Sequence, residues 1–279
     1  MLLAVCGCSW SCRDPKHPNI EFGQHLADEL GYEYVNLAKP GCSNFGIALQ
    51  IEYALTELNP DLLIINATTV TRGEFKLNNN KRYVPQNHYH NVDYDHKLVE
   101  KFTDQDAPGY GKNYDPTILI DSFGSILNDR LDADFEQLYL LPRYAKAFDK
   151  SSYDAFRKWF LYLFDADLER HKQQMILQYA LLKLQLKGKK FIFSPNTFDW
   201  AEGFDLKSPL VYADPPTVWD IDEKYFMLKG ISEYLEVCDK IYGSWENSPG
   251  VDYDHHLPEE AHIEYKNNLL IKLNALLYD

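Results

Sequence analysis

Leu2-Leu3-Ala4-Val5-Cys6-Gly7-Cys8-Ser9-Trp10-Ser11 opens the chain and decides its reading. The five small or apolar residues predict a buried strand, and Gly7 marks where the backbone must turn sharply. Ser9 then falls just past the strand end, on the edge of an open α/β sheet where ligands bind. A helical pattern begins near Ile20, so Ser9 lies on a strand-to-loop-to-helix passage. Two readings stay open there: an ordinary turn serine, or a hydroxyl that is both held and presented.

Working outward, the pattern alternates. Residues 20–30 place Phe22, Leu26 and Leu30 at helical spacing, with Gly31 as a C-cap. Tyr34 to Ala38 reads as a second strand running into Lys39-Pro40-Gly41-Cys42-Ser43-Asn44, a Pro-Gly turn before a helix over about 45–58. Leu62-Leu63-Ile64-Ile65-Asn66-Ala67 is a continuous apolar run of the kind covered on both faces. From Tyr153 to Leu186 a helical period runs through Trp159, Leu163, Leu168, Ile176, Tyr179, Leu182 and Leu186, as one long helix or a broken pair closing at Gly188. Lys189 to Pro195 is the next strand, a short helix is expected near 223–237, and Leu257 to Leu277 is helical after its first residues. Short β-α-β-α-β links imply a parallel sheet with right-handed crossovers. The expected fold is therefore a single domain over 1–279, a three-layer α/β/α sandwich, flavodoxin-like in outline. Residues 73–150 and 197–250 break the rhythm and read as two insertions. Their aromatics either line a cleft or pack the insertions down.

Composition bounds the function. At 279 residues a sizeable core is within reach, and 45% hydrophobic with 25% charged residues is ordinary for a globular protein. The 20 tyrosines and 15 phenylalanines speak against disorder. A net charge of −14 disfavours nucleic acid or an anionic membrane as partner. No window approaches the ~18 apolar residues of a membrane span. Met1-Leu2-Leu3 lacks a basic n-region, so a cytoplasmic protein is expected. Five cysteines, at 6, 8, 12, 42 and 238, form neither a secreted scaffold nor a paired C-x-x-C knuckle, so neither metal nor cofactor is expected. No G-x-G-x-x-G or P-loop follows the first strand, which argues against nucleotide binding.

Before the last helix stands Asp252-Tyr253-Asp254-His255-His256-Leu257-Pro258-Glu259-Glu260-Ala261-His262. Acids and adjacent histidines in a loop supply the base side of a Ser-His-Asp site. They also suit a solvated helix N-terminal face, where acids are favoured.

These pieces together resemble the SGNH/GDSL hydrolases, in the wording common among bacteriophage SGNH-like proteins. Gly7-Cys8-Ser9-Trp10 resembles their G-D-S block, with Cys8 in place of the usual Asp. Leu37 to Asn44 resembles the block carrying their glycine, and Asp254 to His262 their closing D-x-x-H block. The likeness covers roughly 1–72, 153–196 and 250–279. It implies Ser9 as nucleophile, His256 as general base and Asp254 as orienting acid. Asp254 stands two residues before His256 where the family has three; Tyr253 fills that slot, Asp252 competes, and His255 is a second candidate base. The implied oxyanion hole uses the N–H groups of Ser9 and Gly41. The third block departs from the family: Ile64 to Arg72 aligns Thr68 with the glycine and Val70 with the asparagine. Asn44, Asn66 or Thr68 is then the substitute donor, and Arg72 meets either an acidic substrate group or a surface partner. The resemblance implies an esterase acting on a small acyl ester, such as an acetyl group on a sugar, with a homo-oligomer compatible. The alternative is a catalytically impaired SGNH-like binding or structural module, phage-encoded and in that case acting in the host cytoplasm or in a phage particle.

Overall fold

The computed structural model describes residues 1–11, 21–38, 42–68, 72–76, 118–122, 150–164, 166–195, 221–227, 230–244, 247 and 257–278. The opening stretch forms β1 (Leu2–Cys6), followed by α1 (Phe22–Leu30), β2 (Glu33–Asn36), α2 (Asn44–Tyr53) and β3 (Leu62–Asn66). The four-stranded sheet is completed by β6 (Lys190–Ser194), in the order β2-β1-β3-β6, with every pairing parallel. Val5 pairs with Asn36 on one side and Ile64 on the other, while Asn66 pairs with Ser194. All carboxyl ends therefore share one edge, and the order departs from β1 in opposite directions toward β2 and β3. Such a reversal opens a crevice at the carboxyl edge.

The apolar runs form strands because both of their faces are covered. Leu3, Val5, Leu62, Ile64 and Ile192 join a buried cluster with Phe22 and Leu26 of α1. Tyr265, Leu269 and Leu273 of α6 (Glu259–Tyr278) belong to the same cluster. The alternate residues Cys6, Leu63, Ile65, Phe191 and Phe193 join a second cluster with Ile47 and Ile51 of α2. Leu177, Leu181 and Leu184 of α4 (Ala166–Leu186) complete it. Each such side chain contributes about 1.5–3 kcal/mol on burial. Period-two alternation thus divides every strand between two cores.

Local chemistry sets the ends. Gly31 closes α1 at φ 67°, and Ser43 caps α2 by accepting from the Gly46 N–H at 3.1 Å. The helix expected over 45–58 ends as a π-helical turn over Ala54–Leu58, closed by Asn59 N–H to Ala54 O at 2.7 Å. β2 ends at Asn36, earlier than the apolar run suggests. The Ala38 N–H turns to Asn36 Oδ1 at 2.9 Å, bending the chain out of the ladder.

The 153–186 run is a broken pair: α3 (Lys150–Tyr162), then α4. Its buried face differs from the expected stripe. Leu163, Leu168, Tyr179 and Leu186 are exposed, Leu186 at 84%, whereas Leu177, Ala180, Leu181 and Leu184 face the core. From Met175 to Leu186 α4 carries apolar residues around its whole circumference, so spacing alone allows several phases. Packing against the sheet selects one of them.

The stretches read as insertions fall largely outside the described residues. Within the first, β4 (Arg72–Lys76) and β5 (Ile118–Ser122) form an antiparallel pair, with Arg72 opposite Ser122. In the second, the single helix expected near 223–237 is replaced by two 3-10 turns, Glu223–Tyr225 and Ile231–Tyr234, followed by α5 (Leu235–Tyr242). Between the two turns lies Gly230, where a Cβ would stand 2.6 Å from the Pro195 carbonyl oxygen. No helix among the described residues is long and apolar enough to cross a membrane.

Candidate functional site

Gly7 leads from β1 into a 3-10 turn, Ser9–Ser11, closed by the Ser11 N–H on Cys8 O at 2.9 Å. Three carboxamides from three elements hold this turn. Gln50 of α2 grips Gly7 at both backbone groups: Gly7 N–H donates to Oε1 at 2.7 Å, and Nε2 donates to Gly7 O at 3.1 Å. The same Nε2 lies 3.3 Å from Cys42 Sγ. Asn66, the last residue of β3, donates from Nδ2 to Ser11 Oγ at 3.0 Å. Asn36, the last of β2, donates to the Ser11 carbonyl at 2.8 Å. Gly7 must be glycine for this closure, since a Cβ there would stand 2.8 Å from Ser11 Oγ. Ser9 is 5% exposed within the clamped turn.

The clamp continues into the last helix. Tyr265 is fully buried and donates its hydroxyl to Asn66 Oδ1 at 2.6 Å. Ser194, at the end of β6, lies 3.1 Å from the same phenol oxygen. The phenol has one proton, and Asn66 takes it, so the Ser194 hydroxyl is the donor. Tyr265→Phe leaves Asn66 Oδ1 buried without this donor and is expected to cost about 1–3 kcal/mol in urea denaturation. A loss below a few tenths would show that the phenol is not needed to hold Asn66.

Asn44 lies along the same edge, at the start of α2. Its Nδ2 donates to Thr68 O at 2.9 Å and to Gln173 Oε1 at 2.6 Å, and its Oδ1 accepts from the Thr68 N–H at 2.8 Å. Asn44 therefore staples the chain leaving β3 to α4. On the other flank, buried Glu21 accepts from Tyr34 at 2.9 Å and from Asn36 at 2.6 Å. His262 is fully buried and stacks on Phe22 at 6.0 Å. It accepts the Phe22 N–H at Nδ1, 3.3 Å away, which places its ring proton on Nε2.

Of the residues singled out by sequence, Ser9, Asn44, Asn66 and Thr68 share one sheet edge. Gly41, Asp252, Asp254, His255 and His256 lie outside the described residues. Arg72 begins β4. Gln50, Asn36, Ser11, Glu21 and Gln173 were not anticipated as parts of the edge. Gln50 carried a usable signal, being a polar residue between Ile47 and Ile51 on the buried face of α2. Cys6, Cys8 and Cys42 are buried free thiols. Burial, with Cys42 adding to it, pushes the Cys6 thiol far up, so it stays protonated and acts as a small apolar residue. Among the described residues, no three His, Cys, Asp or Glu side chains are grouped to share a metal ion. Comparison with family models, with curated proteins and with solved structures gives no match.

Proposed function

We propose that the chain is a serine esterase of the SGNH/GDSL type, a three-layer α/β/α domain with insertions at about 73–150 and 197–250. The observation that carries this reading is the immobilised Ser9 turn at the carboxyl edge. Asn36 and Asn66 hold Ser11 within the turn and Gln50 holds Gly7 just ahead of it, the kind of support a reacting group needs and an ordinary surface turn does not. In this reading Ser9 Oγ attacks the ester carbonyl carbon while His256 takes the hydroxyl proton. Asp254 orients the imidazole and stabilises its charged form. The tetrahedral oxyanion is met by the Ser9 and Gly41 N–H groups. Collapse expels the alcohol, which receives the proton from His256 and leaves an acyl-Ser9. Water, deprotonated by His256, attacks that acyl group, and release of the acid restores Ser9.

The asparagines divide between two roles. Both amide protons of Asn44 go to Thr68 and Gln173, which suits a positioning role. Asn66 gives one proton to Ser11, and its second is the donor that can meet the oxyanion. The engagement of Asn44, and Val70 in the family's asparagine slot, also favour a second reading. In that reading the chain is a catalytically impaired SGNH-like binding or structural module, phage-encoded.

Labelling with a fluorophosphonate probe, read by intact mass, separates the two. The esterase reading expects one adduct on the wild type and none on Ser9→Ala or His256→Ala. No adduct on a folded wild type would overturn it in favour of the binding module.

A further inference from the structure

The outer face of α4 is apolar where a helix packed on a sheet ordinarily turns polar side chains outward. Leu168, Met175, Tyr179 and Leu186 are between 49% and 84% exposed, whereas Leu177, Leu181 and Leu184 line the opposite, buried face. At about 100° per residue, Leu168 and Leu186 share one azimuth, with Met175 and Tyr179 about 20° to either side. The four form a straight stripe about 27 Å long at a rise of ~1.5 Å per residue. Their spacing is symmetric: Leu168 and Leu186 lie nine residues either side of Leu177, and Met175 and Tyr179 lie two. Tyr162 and Leu163, just ahead of α4 in the chain, are exposed as well.

A two-fold axis level with Leu177 and perpendicular to the helix makes such a stripe its own complement. We propose that α4 is the interface of a homodimer, its exposed stripe packed antiparallel on the same stripe of a second copy. Leu168 then meets the partner's Leu186, and Met175 the partner's Tyr179, so each apolar side chain finds an apolar mate. The symmetry selects a second copy as occupant, because an unrelated protein would impose no such spacing. Together the six exposed side chains, at about 100 Å² each, offer on the order of 600 Å² per copy. That is the upper end of what a monomer leaves open, and it approaches the ~800 Å² per partner of a standard interface. The flanking Lys172 and Lys183 are met by Glu169 and Glu52 of the same chain, so the stripes close without opposing bare cations. On its inner face the same helix holds Asn44 through Gln173, so a contact that joins two copies also braces the carboxyl edge. The dimer does not depend on the esterase reading.

Analytical ultracentrifugation of the full chain over about 1–100 μM is expected to show a dimer. The double variant Met175→Glu, Tyr179→Glu sets charges at the centre of the contact and should weaken association at least about 100-fold. Its far-UV circular dichroism should remain that of the folded chain, because both positions face outward. Leu168→Cys and Leu186→Cys test the direction of packing. Under mild oxidation a mixture of the two should give a disulfide-linked dimer of one copy of each, read by intact mass. Neither variant alone should cross-link above the wild type, which controls for the native cysteines. A wild type that stays monomeric throughout the range would overturn the proposal. So would a dimer that the glutamates leave intact, or cross-linking of either cysteine variant with itself. If the glutamate variant does not fold, the mixed cross-link alone decides: its presence sustains the antiparallel dimer and its absence overturns it.

Discussion

Ester turnover is expected to fall on the order of 10⁴- to 10⁶-fold in Ser9→Ala, the loss typical when a covalent nucleophile is removed. The comparison that gives this number meaning is Ser11→Ala, because two serines share the turn. Ser11 Oγ receives the Asn66 amide and its carbonyl receives Asn36, so it acts as an anchor in the turn. Its alanine variant keeps the carbonyl contact and loses only the Oγ one, so turnover should drop no more than about 10²-fold, as expected for a misplaced reacting group. Initial rates with an aryl acetate measure both. A collapse in Ser11→Ala with activity retained in Ser9→Ala would transfer the nucleophile to Ser11 and overturn the assignment.

Gln50→Ala is expected to carry the largest stability loss, about 3–5 kcal/mol. It strips partners from the buried Gly7 N–H and carbonyl together, each worth about 1–3 kcal/mol when orphaned, and it empties the space of a fully buried side chain. Against a total stability of about 5–15 kcal/mol, that shifts the urea midpoint by a large fraction. The slope of the transition should be unchanged, since the surface exposed on unfolding stays the same. Gln50→Met provides the control: it keeps the approximate volume and removes both hydrogen bonds, which separates the lost partners from the emptied space. A loss under about 1 kcal/mol in Gln50→Ala would show that the turn holds its shape without α2.

The fold was legible wherever one local signal dominated. β1, β3 and β6 stand out as unbroken apolar runs bounded by Gly7, Pro60 and Gly188, and a sheet covered on both faces demands such runs. The apolar run overstates β2 because it continues to Ala38, whose N–H is taken by Asn36 Oδ1, while the Leu37 N–H still meets Val5 O. The spacing marks α4 without marking its buried face, since its circumference is apolar and only the sheet chooses a phase. The edge was legible in its serine and asparagines and silent about its clamp. Gln50 meets Gly7 across 43 residues, and Tyr265 meets Asn66 across 199. No spacing rule reaches that far, because such pairs are set by packing and not by period.

The Tyr265 hydroxyl, finally, gives the molecule an order of assembly. β1, β2 and β3 all lie within the first 66 residues and can pair while later segments are still being made. Asn66 waits for a donor that arrives about 200 residues later, on a helix that must dock before the phenol reaches it. Closing so long a loop is slow relative to local pairing. The turn carrying Ser9 therefore has its full set of restraints only when α6 is docked. The helix that covers one face of the sheet also completes the support of its serine edge.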